Sequence, residues 1–181
     1  IKSMFPGTTA TYIGGKNSIE ENLALTEGFI FNAVILGKRK GKVTLNNLLL
    51  PFRLSIGILQ SMLFLIRNKI RFVVGTGGYS AFPCLFAARI LGLDYFLQEQ
   101  NVYPGLTTRL FARGATRIFM GFEGAKEFLE SRNQNLKYTG NPINVKLEKD
   151  GREKAFEKLG LDGSKKTIFI TGGSQGARSI N

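Results

Sequence analysis

Three short runs hold the residue types that could do chemistry in this 181-residue chain. Gly75-Thr76-Gly77-Gly78 and Gly172-Gly173-Ser174-Gln175-Gly176-Ala177 are glycine-rich, and Gln98-Glu99-Gln100-Asn101 is wholly polar. Glycine lets a backbone come close to a ligand, and a helix starting after such a turn offers unpaired N–H groups and a partial positive charge. Each glycine run therefore suits a phosphate or diphosphate. Without a ligand it is a tight turn that packs a helix closely on a sheet. The polar run suits hydroxyl binding or proton transfer, and by composition alone it equally fits a hydrated loop. The dinucleotide fingerprint G-x-G-x-x-G is nearly met twice. Ser80 takes the third glycine's place in the first run, and Thr171 the first glycine's place in the second. With Glu99 as a ribose-binding acid, a nicotinamide- or flavin-linked oxidoreductase stays open. Cys84, among Phe82, Leu85 and Phe86, reads as a small core residue.

The elements around these runs fix where they must lie. Phe72-Val73-Val74 is apolar, rich in β-branched residues and too short for a helix, which predicts a buried strand. Residues 79–91 have helical length, and residues 93–97 form a second strand ending in the polar run. Strand, glycine turn, helix and strand make a βαβ unit, which builds parallel sheets with helices on both faces. Ligands of such sheets sit outside the carboxyl ends of the strands, where the first glycine run and the polar run both fall. Downstream, Pro104 is expected to start a helix to about Arg113, followed by a strand over 117–120 and a short helix over 123–130. Residues 136–139 lead to Gly140-Asn141-Pro142, a turn signal. The charged stretch 146–158 reads as a linker running into a surface helix, and 166–171 as a strand before the second glycine run.

Upstream, residues 9–13 alternate and read as a strand ending at Gly14-Gly15. Asn17 or Ser18 can cap a short helix with Glu20 and Glu21 in its first turn, and residues 29–36 form another strand. A basic loop follows, with Gly37 and Gly41 flanking Lys38-Arg39-Lys40 and Lys42 beyond. Residues 48–66, which Asn46 or Asn47 could cap, are nearly all apolar and about a bilayer's span in length. Pro51, Arg53, Gly57, Gln60 and Ser61 interrupt them, favouring a packed or interfacial helix over a spanning one. Its first turns, with Leu48, Leu49, Leu50 and Phe52 beside the basic loop, could dip reversibly into an anionic membrane.

Bulk composition narrows the class. The length fits one domain, or one domain and part of another, and 43% hydrophobic with 21% charged residues describes a globular chain. Twenty-five Lys and Arg against 13 acidic residues give a net charge of +12, which suits nucleic acid, anionic lipid or a phosphorylated substrate. No Arg-rich helix is interleaved with exposed aromatics, so nucleic acid is disfavoured. A non-catalytic basic binding module stays open. The absence of His excludes His-based triads, metal sites and general bases within these residues. A single Cys points to a reducing compartment. Residue 1 is Ile and the last residues fall where a helix should begin, so a fragment of a longer chain is expected.

Together these stretches resemble the MurG-type N-acetylglucosaminyltransferases of bacterial peptidoglycan synthesis. The resemblance is carried by Gly75-Thr76-Gly77-Gly78-Tyr79-Ser80, by Gln98-Glu99-Gln100-Asn101 with Pro104-Gly105-Leu106-Thr107, by Gly140-Asn141-Pro142, and by Gly172-Gly173-Ser174-Gln175-Gly176-Ala177-Arg178. Order and spacing match from about Tyr12 to the end. The resemblance implies an α/β fold of the GT-B type, a Rossmann-like parallel sheet flanked by helices, with the beginning of a second Rossmann-like domain. Residues 1–145 would form the acceptor-side domain, incomplete at its start. Residues 146–164 would be linker and surface helix, and 165–181 the start of the nucleotide-sugar domain.

It further implies an inverting hexosyltransferase without a metal or other cofactor. The reaction would move GlcNAc from UDP-GlcNAc to the C4 hydroxyl of undecaprenyl-diphospho-MurNAc-pentapeptide, turning lipid I into lipid II. The enzyme would sit peripherally at the cytoplasmic face of the inner membrane, on an anionic surface, with no nucleic acid partner. Gly75, Thr76, Gly77, Gly78 and Tyr79 would hold the acceptor diphosphate. Asn101 and Asn144 would lie on the donor side, and Gly173, Ser174 and Gln175 would bind the UDP diphosphate. Lys38, Arg39, Lys40, Lys42, Leu48, Leu49, Leu50 and Phe52 match the family's membrane-docking face. Glu99 is the only acidic candidate at the rim, as base or as support. Three departures stand out. The family's first glycine turn, with its His, would precede residue 1; Gln98 replaces a His; and Asn144 replaces a donor-binding Arg. Residues 1–181 alone are expected to be inactive.

Overall fold

Side chains along three strands alternate between exposed and buried, a period of two that places one face of their sheet in the core. The structure, a computed structural model, describes residues 7–36, 49–142, 151–168 and 170. β3 (Phe72–Gly75), β4 (Asp94–Glu99), β5 (Arg117–Met120) and β6 (Leu136–Tyr138) form a four-stranded parallel sheet in that order. β1 (Thr11–Gly15) and β2 (Ile30–Val34) make a separate parallel pair, with Thr11 opposite Ile30.

Parallel neighbours need crossovers, and helices supply them. α1 (Ile19–Thr26) joins β1 to β2, α2 (Leu50–Arg67) precedes β3, and α3 (Phe82–Ile90) joins β3 to β4. α4 (Leu106–Phe111), continued by a 3-10 turn over Ala112–Gly114, leads to β5, and the 3-10 turn Glu123–Ala125 with α5 (Lys126–Leu129) leads towards β6. The α/β class expected from the sequence is the class observed.

The core lies between the buried sheet face and these helices. Val73, Tyr95, Leu97, Ile118 and Met120 meet Leu65 of α2, Leu85, Ala87 and Ala88 of α3, Phe111 of α4 and Leu129 of α5. Tyr95 satisfies its buried hydroxyl by donating to the Phe111 carbonyl at 3.0 Å. The opposite face is aromatic and open. Phe72 and Val74 are 52% and 53% exposed. Phe72 meets Phe96 edge-on at 5.8 Å, and Phe96 stacks on Phe119 at 6.3 Å.

α2 ties the small sheet to this core. Gly57, Ser61 and Leu65, four residues apart, form its buried stripe. The Ile35 carbonyl lies so close to Gly57 that no Cβ would fit, while Gln60 Oε1 accepts from the Ile35 N–H at 2.8 Å. Phe52, Leu59, Leu63 and Ile66 are exposed. By length and composition alone α2 is long and apolar enough to cross a bilayer, with a mean hydropathy of 1.3.

Several boundaries differ from expectation. β1 continues through Gly14 and Gly15, which pair with Ala33 and Val34 and leave room for the Phe31 ring and Leu36 side chain. Ser18, not Asn17, caps α1: its hydroxyl accepts from the Glu21 N–H at 3.2 Å, and the Asn17 N–H donates back to the Glu21 carboxylate. α3 starts at Phe82 rather than Tyr79, because Gly77 and Gly78, at φ +85° and +72°, wind a turn first. α4 starts at Leu106 rather than Pro104, since Gly105 is the extended N-cap. Residues 166–168 and 170, expected in a strand, pair with none among the described residues, and Ile168 and Ile170 are exposed. Asn46 and Asn47 lie outside the described residues.

The chain divides into two compact units, Ile1–Pro142 and Ile143–Asn181. In the second, α6 (Gly151–Leu159) ends where the Leu161 N–H returns to the Phe156 carbonyl at 2.8 Å.

Candidate active site at the strand rim

β3 ends at Gly75, buried so tightly that a Cβ would stand 2.7 Å from Leu85 Cδ1 of α3. Here glycine serves close helix–sheet packing, and the two glycines at positive φ follow in the turn. Beside it, β4 carries the polar run to the rim. Gln100 Nε2 donates to the Thr76 carbonyl at 2.9 Å, and also contacts the Gln98 side-chain oxygen. From α4, Thr107 Oγ1 donates to the Gly78 carbonyl at 2.8 Å. The first glycine turn and the polar run are thus one site. Thr108 Oγ1 is buried without a hydrogen-bond partner among the described residues, 3.9 Å from where a Cβ on Gly77 would stand.

Glu99 shares the inward parity of Tyr95 and Leu97 and is 2% exposed. A buried carboxylate needs donors. Oε1 accepts from the Asn101 backbone N–H at 3.0 Å and from Asn101 Nδ2 at 3.1 Å, and Oε2 accepts from the Gly105 N–H at 3.0 Å. Glu99 therefore braces the loop from Asn101 to the start of α4. Asn101 itself is exposed, as are Thr76 and Tyr79.

Asn141 closes the other side of the rim. Its Nδ2 donates to the Gln100 carbonyl at 3.1 Å and its Oδ1 accepts from Gln98 Nε2 at 3.3 Å, in space that a side chain on Gly121 would fill. Gln98 thus spends its amide on the loop that ends the first unit.

Two other features bear on chemistry. Burial pushes the Cys84 thiol up to about 12, which removes it as a nucleophile. Among the described residues no group of three or more His, Cys, Asp or Glu could hold a metal.

Of the residues expected on the membrane face, Leu49 and Phe52 are exposed and Leu50 is half-buried. Lys38, Arg39, Lys40, Lys42 and Leu48 lie outside the described residues, as do Asn144, Gly173, Ser174 and Gln175 of the expected donor side. Sequence reasoning placed Thr107 and Asn141 among the motif residues without giving either side chain a role, and missed Thr108. The one available signal was a pair of hydroxyl residues just after the Pro104-Gly105 turn.

A parallel sheet whose successive strands are joined by helices, with a glycine turn and polar loop at its carboxyl rim, is a Rossmann-like domain of the GT-B type. The match with solved structures agrees: "Crystal structure of acinetobacter baumannii MurG" aligns with a TM-score of 0.61 at 20% identity, covering 79% of this chain and 39% of that one. Residues 6–120 match the glycosyltransferase family 28 N-terminal domain, and the chain belongs to that family.

Among curated relatives, it is 36% identical over 183 residues to the UDP-N-acetylglucosamine–N-acetylmuramyl-(pentapeptide) pyrophosphoryl-undecaprenol N-acetylglucosamine transferase of Flavobacterium psychrophilum, covering 100% of this chain and 49% of the relative. The enzyme of the same name from Halothermothrix orenii is 34% identical, with 97% of this chain and 47% of the relative covered. The resemblance drawn from the sequence motifs is borne out. The chain spans about half the length of the curated relatives it matches.

Proposed function

We propose that this chain supplies the acceptor-binding half of an inverting transferase that moves GlcNAc from UDP-GlcNAc to lipid I, giving lipid II. The observation that carries the reading is the joining of an anion-type glycine turn to a hydroxyl-type polar loop, through Gln100 on Thr76 and Thr107 on Gly78. Gly75, Thr76, Gly77, Gly78 and Tyr79, in the turn that leads from β3 towards α3, seat the acceptor diphosphate. The buried Thr108 hydroxyl beneath Gly77 supports that assignment. Asn101 contacts the donor sugar, and Asn144 takes the donor-binding position that the sequence resemblance assigns two residues after Asn141-Pro142. Ser174 and the backbone of Gly173 and Gln175 hold the UDP diphosphate as leaving group.

The reaction is direct displacement. The acceptor C4 oxygen attacks the donor's anomeric carbon, the bond to UDP breaks, and the hydroxyl proton passes to a base. The three hydrogen bonds that Glu99 accepts favour its role as brace. The oxidoreductase and the non-catalytic basic module are disfavoured by membership of a glycosyltransferase family.

Docking is peripheral, at the cytoplasmic face of the inner membrane. The exposed apolar stripe Phe52, Leu59, Leu63 and Ile66 on α2 meets the bilayer, with Lys38, Arg39, Lys40 and Lys42 on anionic headgroups.

The test uses the full-length protein containing this chain, radiolabelled UDP-GlcNAc and lipid I. Label is expected in lipid II, and none without lipid I; no transfer to lipid I overturns the reading. In sedimentation with anionic vesicles, neutralising Lys38, Arg39 and Lys40 is expected to weaken binding, and unchanged binding ends the docking proposal.

A further inference from the structure

Seating a diphosphate on a glycine turn requires that the turn's peptides keep one orientation. Glycine at positive φ does not enforce that by itself, because its peptides rotate with little steric hindrance. In this turn two carbonyls are held from outside it. Gln100 Nε2 grips the Thr76 carbonyl at 2.9 Å, and Thr107 Oγ1 grips the Gly78 carbonyl at 2.8 Å. No peptide bond among the described residues is cis. In a planar trans peptide the N–H points opposite to the C=O. Holding the Thr76 carbonyl towards β4 therefore turns the Gly77 N–H the other way, and holding the Gly78 carbonyl fixes the plane of the Gly78–Tyr79 peptide.

The holders are themselves set. Thr107 is 7% exposed on α4, whose N-cap Gly105 is fixed by Glu99. Gln100 follows Glu99 directly, and its carbonyl is engaged by Asn141. The orientation of the glycine turn is thus built from β4 and α4 rather than from the turn's own sequence.

We propose that Thr107 and Gln100 are positioning residues that preorganise this turn for the acceptor's diphosphate, without needing to touch it. The inference rests on the acceptor-site reading above. Preorganisation acts on affinity by removing an ordering cost from binding.

The experiment uses the full-length enzyme, with steady-state kinetics on lipid I and UDP-GlcNAc separately. Thr107→Val, close in volume but without the hydroxyl, is expected to raise the lipid I KM roughly five- to tenfold, the yield of one hydrogen bond. The UDP-GlcNAc KM and kcat should stay within about twofold, and Thr107→Ser should restore the lipid I KM to within about twofold of wild type. Gln100→Leu, at a partly exposed position, is an independent arm with the same acceptor-only effect expected. An unchanged lipid I KM in both variants overturns the proposal. So does a fall in kcat with a parallel rise in both KM values and a lowered melting temperature, which a purely structural role would give. Failure of the functional reading looks different, because the wild-type enzyme would then transfer nothing to lipid I.

Discussion

Glu99 faces the core because Tyr95, Leu97 and Glu99 share one side of β4, and the loop supplies the donors that make a buried carboxylate tolerable. Its replacement therefore tests two roles at once. In the full-length enzyme, Glu99→Gln and Glu99→Ala are each expected to lower kcat/KM by about 10²-fold through misplacement of Asn101. Gln would put an N–H donor against a backbone N–H, so it should not rescue. The acidic limb of the pH–rate profile should survive in both variants, since a brace takes no proton from substrate; loss of that limb would make Glu99 the base. The acid at the rim was legible in the sequence, and its inward parity could have been counted from Leu97. The hydrogen bond from Thr107 to Gly78 could not, because those residues meet only once α4 packs beside the turn.

At the scale of elements, α3 shows why boundaries resist reading while burial does not. Its apolar composition put Cys84 in the core, and Pro83, Cys84, Leu85, Ala87 and Ala88 are all buried. Burial disfavours the thiolate, so the thiol's pKa is raised to about 12 and the group stays protonated at every lower pH. Iodoacetamide at pH 8 is expected to leave Cys84 unmodified in the native full-length protein and to alkylate it in denaturant, as followed by mass spectrometry. Rapid native alkylation would mean that α3 does not pack as described. The start of α3, by contrast, depends on how far two glycines wind, and the start of α4 on a carboxylate six residues before its N-cap. Neither is a property of the segment alone. Strand pairing is likewise not local, so residues 166–168 carry a strand's composition without a partner among the described residues.

For the whole molecule, the one-sided core of the four-stranded sheet has a measurable signature. Parallel sheets are normally covered on both faces, yet Phe72 and Val74 are half exposed beside Phe96 and Phe119. Residues 1–181 expressed alone are expected to enhance ANS fluorescence, and Phe72→Ser with Phe119→Ser should reduce it; no enhancement by the unsubstituted chain would mean that the face is covered. The order of that sheet, β3, β4, β5, β6, is also the order in which its strands are made. As the chain leaves the ribosome, each strand from β4 onwards finds its neighbour already present, and none has to be threaded between two others. The rim is then assembled in sequence during synthesis: the glycine turn first, its Gln100 and Thr107 holders next, and Asn141 last.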